Sequence, residues 1–348
     1  MGGEHADANH EPGSLTRLRI DLAYEGGAFH GWARQNGLRT VQGKVEEALS
    51  RLLRLPGLIG PGVAGESRGV EAFPFSGERG AARRGEEAWR PRLVVAGRTD
   101  TGVHALGQVC HVDLPQKALS AVVGHMDVPA PVALERRLRH LLPDDIAIHS
   151  VGYAPSGFDA RFSALERTYI YRVCDDPARL DPRLRGFVLA LDGRLDLEAM
   201  NQAAAAAIGL HDFGSFATPN PGGTTIREVK YARWDRAPTH PLLCEGQGPG
   251  EGPAYLAPMA ESGLVCFTIV ADAFAHNMVR SLVNACLKVG LGKRRVDWFQ
   301  GKVAHPEREG STGPAPACGL TLEHVAYPPD NQLASRARSI RAKRTLED

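Results

Sequence analysis

The chain has 348 residues, of which 43% are hydrophobic and 23% are charged, and its formal net charge is +1 at pH 7. This composition is ordinary for a soluble globular protein of two or three domains, and the near-zero charge does not by itself indicate a nucleic-acid-binding protein. No run of about 18 apolar residues occurs, so no membrane-spanning helix is expected. The first residues also lack the basic and apolar regions of a signal peptide, and we therefore expect a cytoplasmic protein.

The first half of the chain shows hydrophobic periodicity that alternates between strand and helix. Apolar residues at every second position predict strands, and apolar residues three or four positions apart predict helices. The predicted elements are a strand at 17–24, a helix from Val41 to Leu53, strands at 93–96 and 107–114, a helix from Leu134 to Leu142 and a strand that starts at Ile146. Their order is β-α-β-β-α-β.

The second half repeats the same order. The predicted elements are a strand at about 169–173, a helix at about 195–208, strands at about 226–234 and 263–270, a helix from Phe274 to Val289 and a strand from Leu320 to Tyr327. This order is the ferredoxin-like arrangement that RNA-recognition modules also use. We therefore predict an α+β fold of two ferredoxin-like halves with a cleft between them.

Several segments are too polar, or too rich in Gly and Pro, to contribute to a core, so we predict that they lie outside the packed halves. The predicted organisation is a disordered tail at 1–14, an N-terminal half at 15–155 with a disordered insertion at about 57–91, a C-terminal half at 156–330 with a loop insertion at about 237–258, and a basic tail at 331–348. A second basic cluster, Lys293-Arg294-Arg295, on its own indicates only solvated surface.

The sequence gives no sign of a metal or an organic cofactor. The six cysteines are scattered, no CxxC pair occurs, and the spacings match no zinc template, so we expect structural thiols. The glycine run within the 237–258 insertion lacks the preceding strand and the closely following helix of a dinucleotide-binding loop. We therefore expect neither kind of group.

The loop between the strands at 93–96 and 107–114 is the first candidate for chemistry. It reads Gly97-Arg98-Thr99-Asp100-Thr101-Gly102-Val103-His104-Ala105, with Asp100 near its centre. Two glycines permit unusual backbone angles or close approach to a ligand, and Arg98 is placed to keep the carboxylate ionised and oriented. Such a carboxylate suits nucleophilic or acid–base catalysis. The alternative is an aspartate that caps a turn beside a surface arginine.

Two further regions carry candidate substrate-binding residues. The segment from Asp159 to Tyr171 places arginines beside Tyr169 and Tyr171 on one strand face, where an unpaired base can stack. The alternative is a strand with two core tyrosines. In the last helix of the second half, Arg280 lies about 200° around the axis from the apolar stripe and so faces away from the core. The alternative there is an ordinary solvent-exposed arginine.

Several motifs that occur in one order over most of the chain indicate a family. The sequence resembles the tRNA pseudouridine synthase A family from about Leu18 to Tyr327. The motifs that carry this resemblance are Tyr24-Glu25-Gly26, Phe29-His30-Gly31-Trp32, Arg34-Gln35, Thr40-Val41-Gln42, GRTDTGVHALGQV at 97–109, ARFSALERTYIYRV at 160–173, HDFGSF at 211–216, DAFAHNMVR at 272–280 and APACGLTLEHVAY at 315–327.

The resemblance implies a function and a role for four residues. Asp100 matches the catalytic aspartate, Arg98 and Arg280 match arginines that hold that aspartate and the substrate, and Tyr169 matches the tyrosine that stacks on the target base. The implied reaction converts uridine to pseudouridine at positions 38, 39 and 40 in the anticodon stem-loop of tRNA, without metal or organic cofactor. The implied architecture is a homodimer with basic RNA-binding clefts, each subunit having two ferredoxin-like halves around a joined antiparallel sheet with helices on one side.

Two rival functions use parts of the same sequence. A non-catalytic RNA-binding protein with two RNA-recognition-like halves would bind tRNA without needing Asp100. An aspartic protease is suggested by Asp100-Thr101-Gly102, but that chemistry needs a second carboxylate, and no second Asp-Thr-Gly occurs. Release of tritium from C5-labelled uridine in tRNA distinguishes isomerisation from binding alone.

Overall fold

The computed structural model describes residues 15–53, 90–218, 223–239, 243–244, 254–255, 261–307 and 313–340. The predicted tail at 1–14, nearly all of the insertion at 57–91, most of the insertion at 237–258 and the last eight residues of the basic tail lie outside these ranges. Within the described ranges, every helix is too short or too polar to cross a membrane.

The N-terminal half confirms the predicted order of elements. Its strands and helices are β1 (Leu15–Tyr24), α1 (Val41–Leu52), β2 (Val94–Val95), β3 (His104–Pro115), α2 (Gln116–Ala121), α3 (Ala130–Leu141) and β4 (Ile146–Tyr153). The strands lie in the order β4-β1-β3-β2, and all neighbours are antiparallel. Only the short helix α2 is additional to the prediction.

The C-terminal half has the same core order with more additions. Its elements are β5 (Glu166–Cys174), β6 (Leu189–Ala190), α4 (Leu197–Ala205), β7 (Gly209–Asp212), β8 (Ile226–Arg236), β9 (Leu243–Cys244), β10 (Ala254–Tyr255), β11 (Val265–Ala271), α5 (Met278–Gly290), α6 (Val296–Ala304), β12 (Leu320–Ala326) and α7 (Leu333–Ser339). The four core strands lie in the antiparallel order β12-β5-β11-β8, which is the order of the first half.

The two halves share one sheet through β3 and β12. This joint is parallel, with Thr321 opposite His104 and Leu322 opposite Ala105. The four core strands of each half are therefore antiparallel, as predicted, but the sheet as a whole is mixed, because β12 pairs with β3 and β6 pairs with β5 in parallel. Periodicity reports which face of a strand is buried and not its direction relative to a distant strand, so the sequence could not reveal the parallel joint.

The joint also determines where the candidate loop emerges. One edge of β3 pairs with β1 along most of its length. The other edge pairs with β2 near Cys110 and with β12 near His104. The loop from β2 back to β3 therefore lies at the boundary between the two halves.

A continuous hydrophobic core holds both halves together. The core face of β1 is fully buried, and the same cluster includes residues of α1, β5 and α5. Helices α1 and α3 contact each other, and so do α4 and α5, which places the two helices of each half on one face of its strands. Burial of each large apolar side chain contributes about 1.5–3 kcal/mol.

Three predicted boundaries need correction. The predicted helix from Phe274 begins only at Met278, because Asn277 has a left-handed backbone with φ of +63° that cannot continue the helix. Within the predicted loop insertion, the two-residue strands β9 and β10 pair antiparallel. Part of the basic tail forms α7, whose Leu333 is buried in the hydrophobic core and whose carbonyl at that residue accepts the Ser163 hydroxyl at 3.2 Å.

Candidate active site

Asp100 lies in the loop at 96–103, and its side chain is 30% exposed. The backbone on either side of it is fixed by the N-terminal half. The Trp32 amide donates to the Thr99 carbonyl at 3.0 Å, and the Val103 amide donates to the Asp100 carbonyl at 3.1 Å. The carboxylate is therefore accessible while the chain that carries it is held on both sides.

A buried polar network supports the loop from behind. The Tyr24 hydroxyl lies 2.8 Å from the Thr99 hydroxyl. The Gln108 amide group donates to the Tyr24 hydroxyl at 3.1 Å and to the Gly97 carbonyl at 2.8 Å. Because Gln108 is fully buried, loss of these bonds would leave polar groups unsatisfied.

Two glycines let neighbouring backbone approach the loop closely. Gly31 has φ of +81°, and a Cβ atom there would lie 2.7 Å from the Thr99 carbonyl oxygen. A Cβ atom at Gly26 would overlap the Val103 carbonyl oxygen. A larger residue at either position would push on the loop that carries Asp100.

His104 joins the end of the loop to the Gly26 backbone. Its Nδ1 accepts the Gly26 amide at 2.9 Å, so the hydrogen of the neutral ring lies on Nε2. The Glu25 carboxylate lies 3.5 Å from the same nitrogen, but burial outweighs it and lowers the pKa of His104. The ring is therefore neutral at ordinary pH, as its acceptor role requires.

His276 is the residue from the other half that reaches Asp100. Its Nε2 lies 3.4 Å from Asp100 Oδ1, and its side chain is about half exposed. The left-handed Asn277 separates His276 from α5 and places it in a loop. His276 is not among the predicted site residues, and the sequence signal that includes it is its place in the motif at 272–280.

The predicted ion pair between Arg98 and Asp100 is absent, although both residues lie in the described part of the chain. Arg98 is exposed, and the Asp100 carboxylate meets the His276 imidazole instead. A turn closed by the hydrogen bond from the Val103 amide to the Asp100 carbonyl sets the backbone direction at Asp100. The side chains of Arg98 and Asp100 therefore do not meet, although the two residues are close in sequence.

Tyr169 lies on β5, close to the loop but largely buried. Only 7% of it is exposed, and its ring packs edge-on against Phe274 with centroids 5.2 Å apart. Its hydroxyl end faces Gly97, where an added Cβ atom would lie 4.0 Å away. Burial raises the pKa of Tyr169, and the Asp100 charge raises it further, so the phenol is neutral.

Arg280 lies in the first turn of α5 and is half-buried. Its Nε donates to the Ala315 carbonyl at 2.6 Å, and its Nη1 lies 3.5 Å from the Asn277 Oδ1. It forms no ion pair with Asp100 across the described residues. The helix prediction placed Arg280 away from the core, and the structure anchors it to the segment that precedes β12.

Across the described part of the chain, no group of three or more His, Cys, Asp or Glu residues is arranged to hold a metal ion. The site brings together Asp100 and His276 directly, with Tyr169 near them. Neither Arg98 nor Arg280 forms an ion pair with Asp100 in the described ranges; Arg98 lies two residues before Asp100 in the chain, and Arg280 contacts Asn277, the residue after His276.

Comparison with known proteins agrees with the motifs. A family model described as tRNA pseudouridine synthase matches residues 203–328. The chain is 59% identical over 332 residues to a tRNA pseudouridine synthase A of Bifidobacterium animalis subsp. lactis, an alignment that covers 95% of this chain and 100% of that protein. It is 40% identical over 336 residues to one of Streptomyces griseus, covering 97% and 96% of the two chains. A Cutibacterium acnes protein of the same name is 39% identical over 334 residues, covering 96% and 97%.

Proposed function

The chain belongs to the tRNA pseudouridine synthase A family, and from this premise we propose that Asp100 is the catalytic residue and that the target uridines are those at positions 38, 39 and 40 of the anticodon stem-loop. Isomerisation of tRNA uridine follows from the family itself. The non-catalytic RNA-binding alternative has no support from these relatives.

The reaction needs a group that acts at the sugar. The bond between N1 and C1′ breaks, a bond between C5 and C1′ forms, C5 loses a proton and N1 gains one, so no net oxidation occurs. Asp100 serves this exchange either as a nucleophile that bonds C1′ or as a base that removes a sugar proton. Both routes need a carboxylate that substrate can reach.

The observation that carries the proposal is the setting of Asp100. Its carboxylate is partly exposed on a loop that the surrounding structure holds on both sides, at the boundary of the two halves. Such preorganisation suits catalysis, because a displacement of about 1 Å can lower a rate about 100-fold. A residue that merely capped a turn would use its carboxylate on backbone amides, whereas Asp100 presents it to His276 and solvent.

The other predicted residues have distinct roles in this proposal. The exposed guanidinium of Arg98 is available to contact the RNA backbone when tRNA enters. Arg280, anchored on the Ala315 carbonyl and in contact with Asn277, supplies a positive charge next to the segment that carries His276. Tyr169 contacts the flipped base, and stacking of this kind contributes about 1–3 kcal/mol per base. Because the ring is largely buried here, base entry requires some opening near Phe274.

We extend the proposal to assembly and location on the basis of family membership. The enzyme acts as a cytoplasmic homodimer, and needs no metal or organic cofactor. Basic residues such as Lys293, Arg294 and Arg295, which follow α5, contribute to RNA binding. Size-exclusion chromatography with light scattering tests the dimer, and activity after treatment with a chelator tests independence from metal.

Tritium release from tRNA labelled at uridine C5 tests the central assignment. We expect Asp100→Asn to bind tRNA with unchanged affinity and to lose turnover, because the amide is neither a nucleophile nor a base. Asp21→Asn is a matched control, since Asp21 is 25% exposed and lies on β1 outside the loop. Wild-type turnover in Asp100→Asn would contradict the assignment.

Mapping of modified positions tests the target site. Total tRNA from cells with and without this chain is compared at positions 38, 39 and 40. We expect pseudouridine at these positions to disappear when the chain is absent and to return with the wild-type chain but not with Asp100→Asn. Loss of pseudouridine elsewhere in tRNA would change the proposed target without removing Asp100 from the chemistry.

A further inference from the structure

Arg167 is a buried cation that the proposed reaction does not use directly. It lies on β5, two residues before Tyr169 and on the same strand face, and only 8% of it is exposed. Burial lowers the pKa of Arg167 from its usual value, yet a guanidinium remains charged in proteins. The structure therefore keeps a positive charge inside the protein directly beside the site.

The Arg167 guanidinium binds three backbone carbonyl groups from three separate segments. Its Nη1 donates to the Asp272 carbonyl at 2.6 Å, and its Nη2 donates to the Ala96 carbonyl at 2.7 Å. The same Nη2 donates to the Arg161 carbonyl at 2.9 Å. The planar fork of an arginine can serve acceptors in several directions at once, which a lysine ammonium on one flexible stem cannot reproduce.

Two of these carbonyl groups stand at the base of the segments that meet at Asp100. Ala96 begins the loop that carries Asp100, four residues further on. Asp272 follows β11 and begins the segment that carries His276, also four residues further on. One side chain therefore joins the base of the N-terminal segment to the base of the C-terminal one.

Arg172 on the same strand shows what an ordinary buried arginine looks like in this protein. It is 9% exposed, and it donates to the Glu323 carboxylate at 2.8 Å and to the Glu261 carboxylate at 2.5 Å. Arg167, in contrast, has no carboxylate side chain within ion-pair distance anywhere in the described ranges. Its hydrogen bonds go to backbone that leads to the site, and the Asp272 charge, which counteracts the lowering of the Arg167 pKa by burial, acts without an ion pair.

We propose that Arg167 is a positioning residue, which fixes the Asp100 loop relative to the His276 segment by clamping the carbonyl groups of Ala96 and Asp272. The inference rests on the proposed catalytic role of Asp100. Arg167 acts through these two segments and not by contact with the reacting atoms. Its loss should therefore lower the rate of chemistry more than the affinity for tRNA.

The test is single-turnover tritium release together with tRNA binding. We expect Arg167→Lys to lower the single-turnover rate about 10- to 100-fold, because small misplacements of catalytic groups have effects of this size. The dissociation constant for tRNA should remain within about threefold of wild type, since the change removes no group that touches RNA. Arg167→Met, which removes the charge and all donors, should have a larger effect on the rate.

Arg172→Met is the matched control for a general loss of stability. It removes an equally buried arginine from the same strand and leaves two carboxylates without their partner. We expect its thermal unfolding midpoint to fall at least as far as that of Arg167→Lys, while its rate at a temperature below both midpoints stays within about threefold of wild type. An equal loss of rate in both variants would overturn the positioning role.

A rescue experiment separates loss of the guanidinium group from a general loss of stability. In Arg167→Ala, added methylguanidinium can occupy the vacated space and bind the same carbonyl groups. We expect it to restore part of the single-turnover rate, whereas methylammonium at equal concentration should not. Restoration by both ions, or by neither, would overturn the inference.

The outcomes separate this inference from the proposed function. An active Asp100→Asn enzyme would overturn both. An inactive Asp100→Asn enzyme combined with an unimpaired Arg167→Lys enzyme would overturn the positioning role alone. A rise in the dissociation constant of Arg167→Lys that accounts for all of its lost activity would also overturn it, because Arg167 would then serve RNA binding.

Discussion

The loop that carries Asp100 and the segment that carries His276 reach the same point from opposite halves of the molecule, and they are held there by different means. The Asp100 loop packs against the backbone at Gly26 and Gly31, and it accepts a hydrogen bond from the buried Gln108. The segment at 272–277 is held mainly by hydrogen bonds: two between Asp272 and Glu228, one from Arg167 to the Asp272 carbonyl, and two to Thr218. Its Asn277 also has a left-handed backbone. Both regions are hydrogen-bonded, but only the Asp100 loop is also packed against backbone so closely that two neighbouring positions have no room for a side chain.

This difference has a consequence for function. The group proposed to act on the sugar belongs to the more tightly packed region, and a change there should affect chemistry strongly. The 272–277 segment should be able to move more without loss of activity, since His276 is about half exposed. Phe274, which packs on Tyr169, must also move aside when a base approaches the tyrosine. Perturbations of the two regions should therefore differ in size.

The largest effect is expected from Gly31→Ala. The new methyl group would lie 2.7 Å from the Thr99 carbonyl oxygen and so would displace the residue next to Asp100. We expect the single-turnover rate of tritium release to fall about 100-fold or more, since displacement of catalytic groups by about 1 Å has that effect.

Gly37→Ala is the control that isolates the contact with the loop. Gly37 has φ of +75°, close to the +81° of Gly31, but an added Cβ atom would meet nothing within 4 Å. The backbone strain, about 1–3 kcal/mol, should therefore be similar in the two variants. If both variants lost the same activity, backbone strain alone would explain the result, and the contact between the residue at 31 and the Thr99 carbonyl would be unimportant.

A smaller effect is expected from Asn277→Ala. Alanine disfavours the left-handed angle by about 1–2 kcal/mol, and it cannot replace the amide that donates to the Thr218 hydroxyl at 3.0 Å. The His276 segment should then relax away from Asp100, and we expect a rate loss of about 10-fold. Asn277→Gly keeps the angle accessible and should lose less; an equal loss in both variants would assign the effect to the hydrogen bond.

The architecture was accessible from the sequence because periodicity reports burial, and burial defines strands and helices. The alternation in β1 and the helical stripe of α3 each gave an element within a few residues of its observed bounds. The loop with Asp100 was likewise recognisable, because glycines and charged residues interrupt two strands. These features depend on local sequence alone.

The features that were missed depend on contacts between distant segments. His276 was placed in a helix because nothing in the pattern shows that Asn277 is left-handed. Arg167 looked like any polar residue of a strand, since its three acceptors come from backbone more than five residues away in the chain. The predicted Arg98 ion pair was wrong because closeness in sequence does not determine side-chain direction in a turn.

The smallest predicted effect is a loss of folding stability at acidic pH. It should act through His104, and therefore on the Asp100 loop and not on the 272–277 segment. Burial lowers the pKa of His104 below its usual value of about 6.5, despite Glu25, and the charge of Arg172 lowers it further. The unfolded chain therefore binds a proton at a higher pH than the folded protein does. The stabilisation from neutral His104 is fully present above pH of about 6.5 and is lost progressively as the pH falls below it.

Thermal unfolding between pH 7 and 5 measures this loss. Protonation of Nδ1 would remove the acceptor for the Gly26 amide, so acid should weaken the support of the Asp100 loop. His104→Gln keeps an acceptor but does not titrate, so its unfolding midpoint should depend less on pH between 7 and 5 than that of wild type. His111, whose pKa burial also lowers, accepts the Ala160 amide at 3.0 Å and should account for part of the slope that remains. If the unfolding midpoint of His104→Gln depended on pH as strongly as that of wild type, acid would not act through the bond between His104 and the Gly26 amide. The support of the Asp100 loop would then come from Gly31 and Gln108.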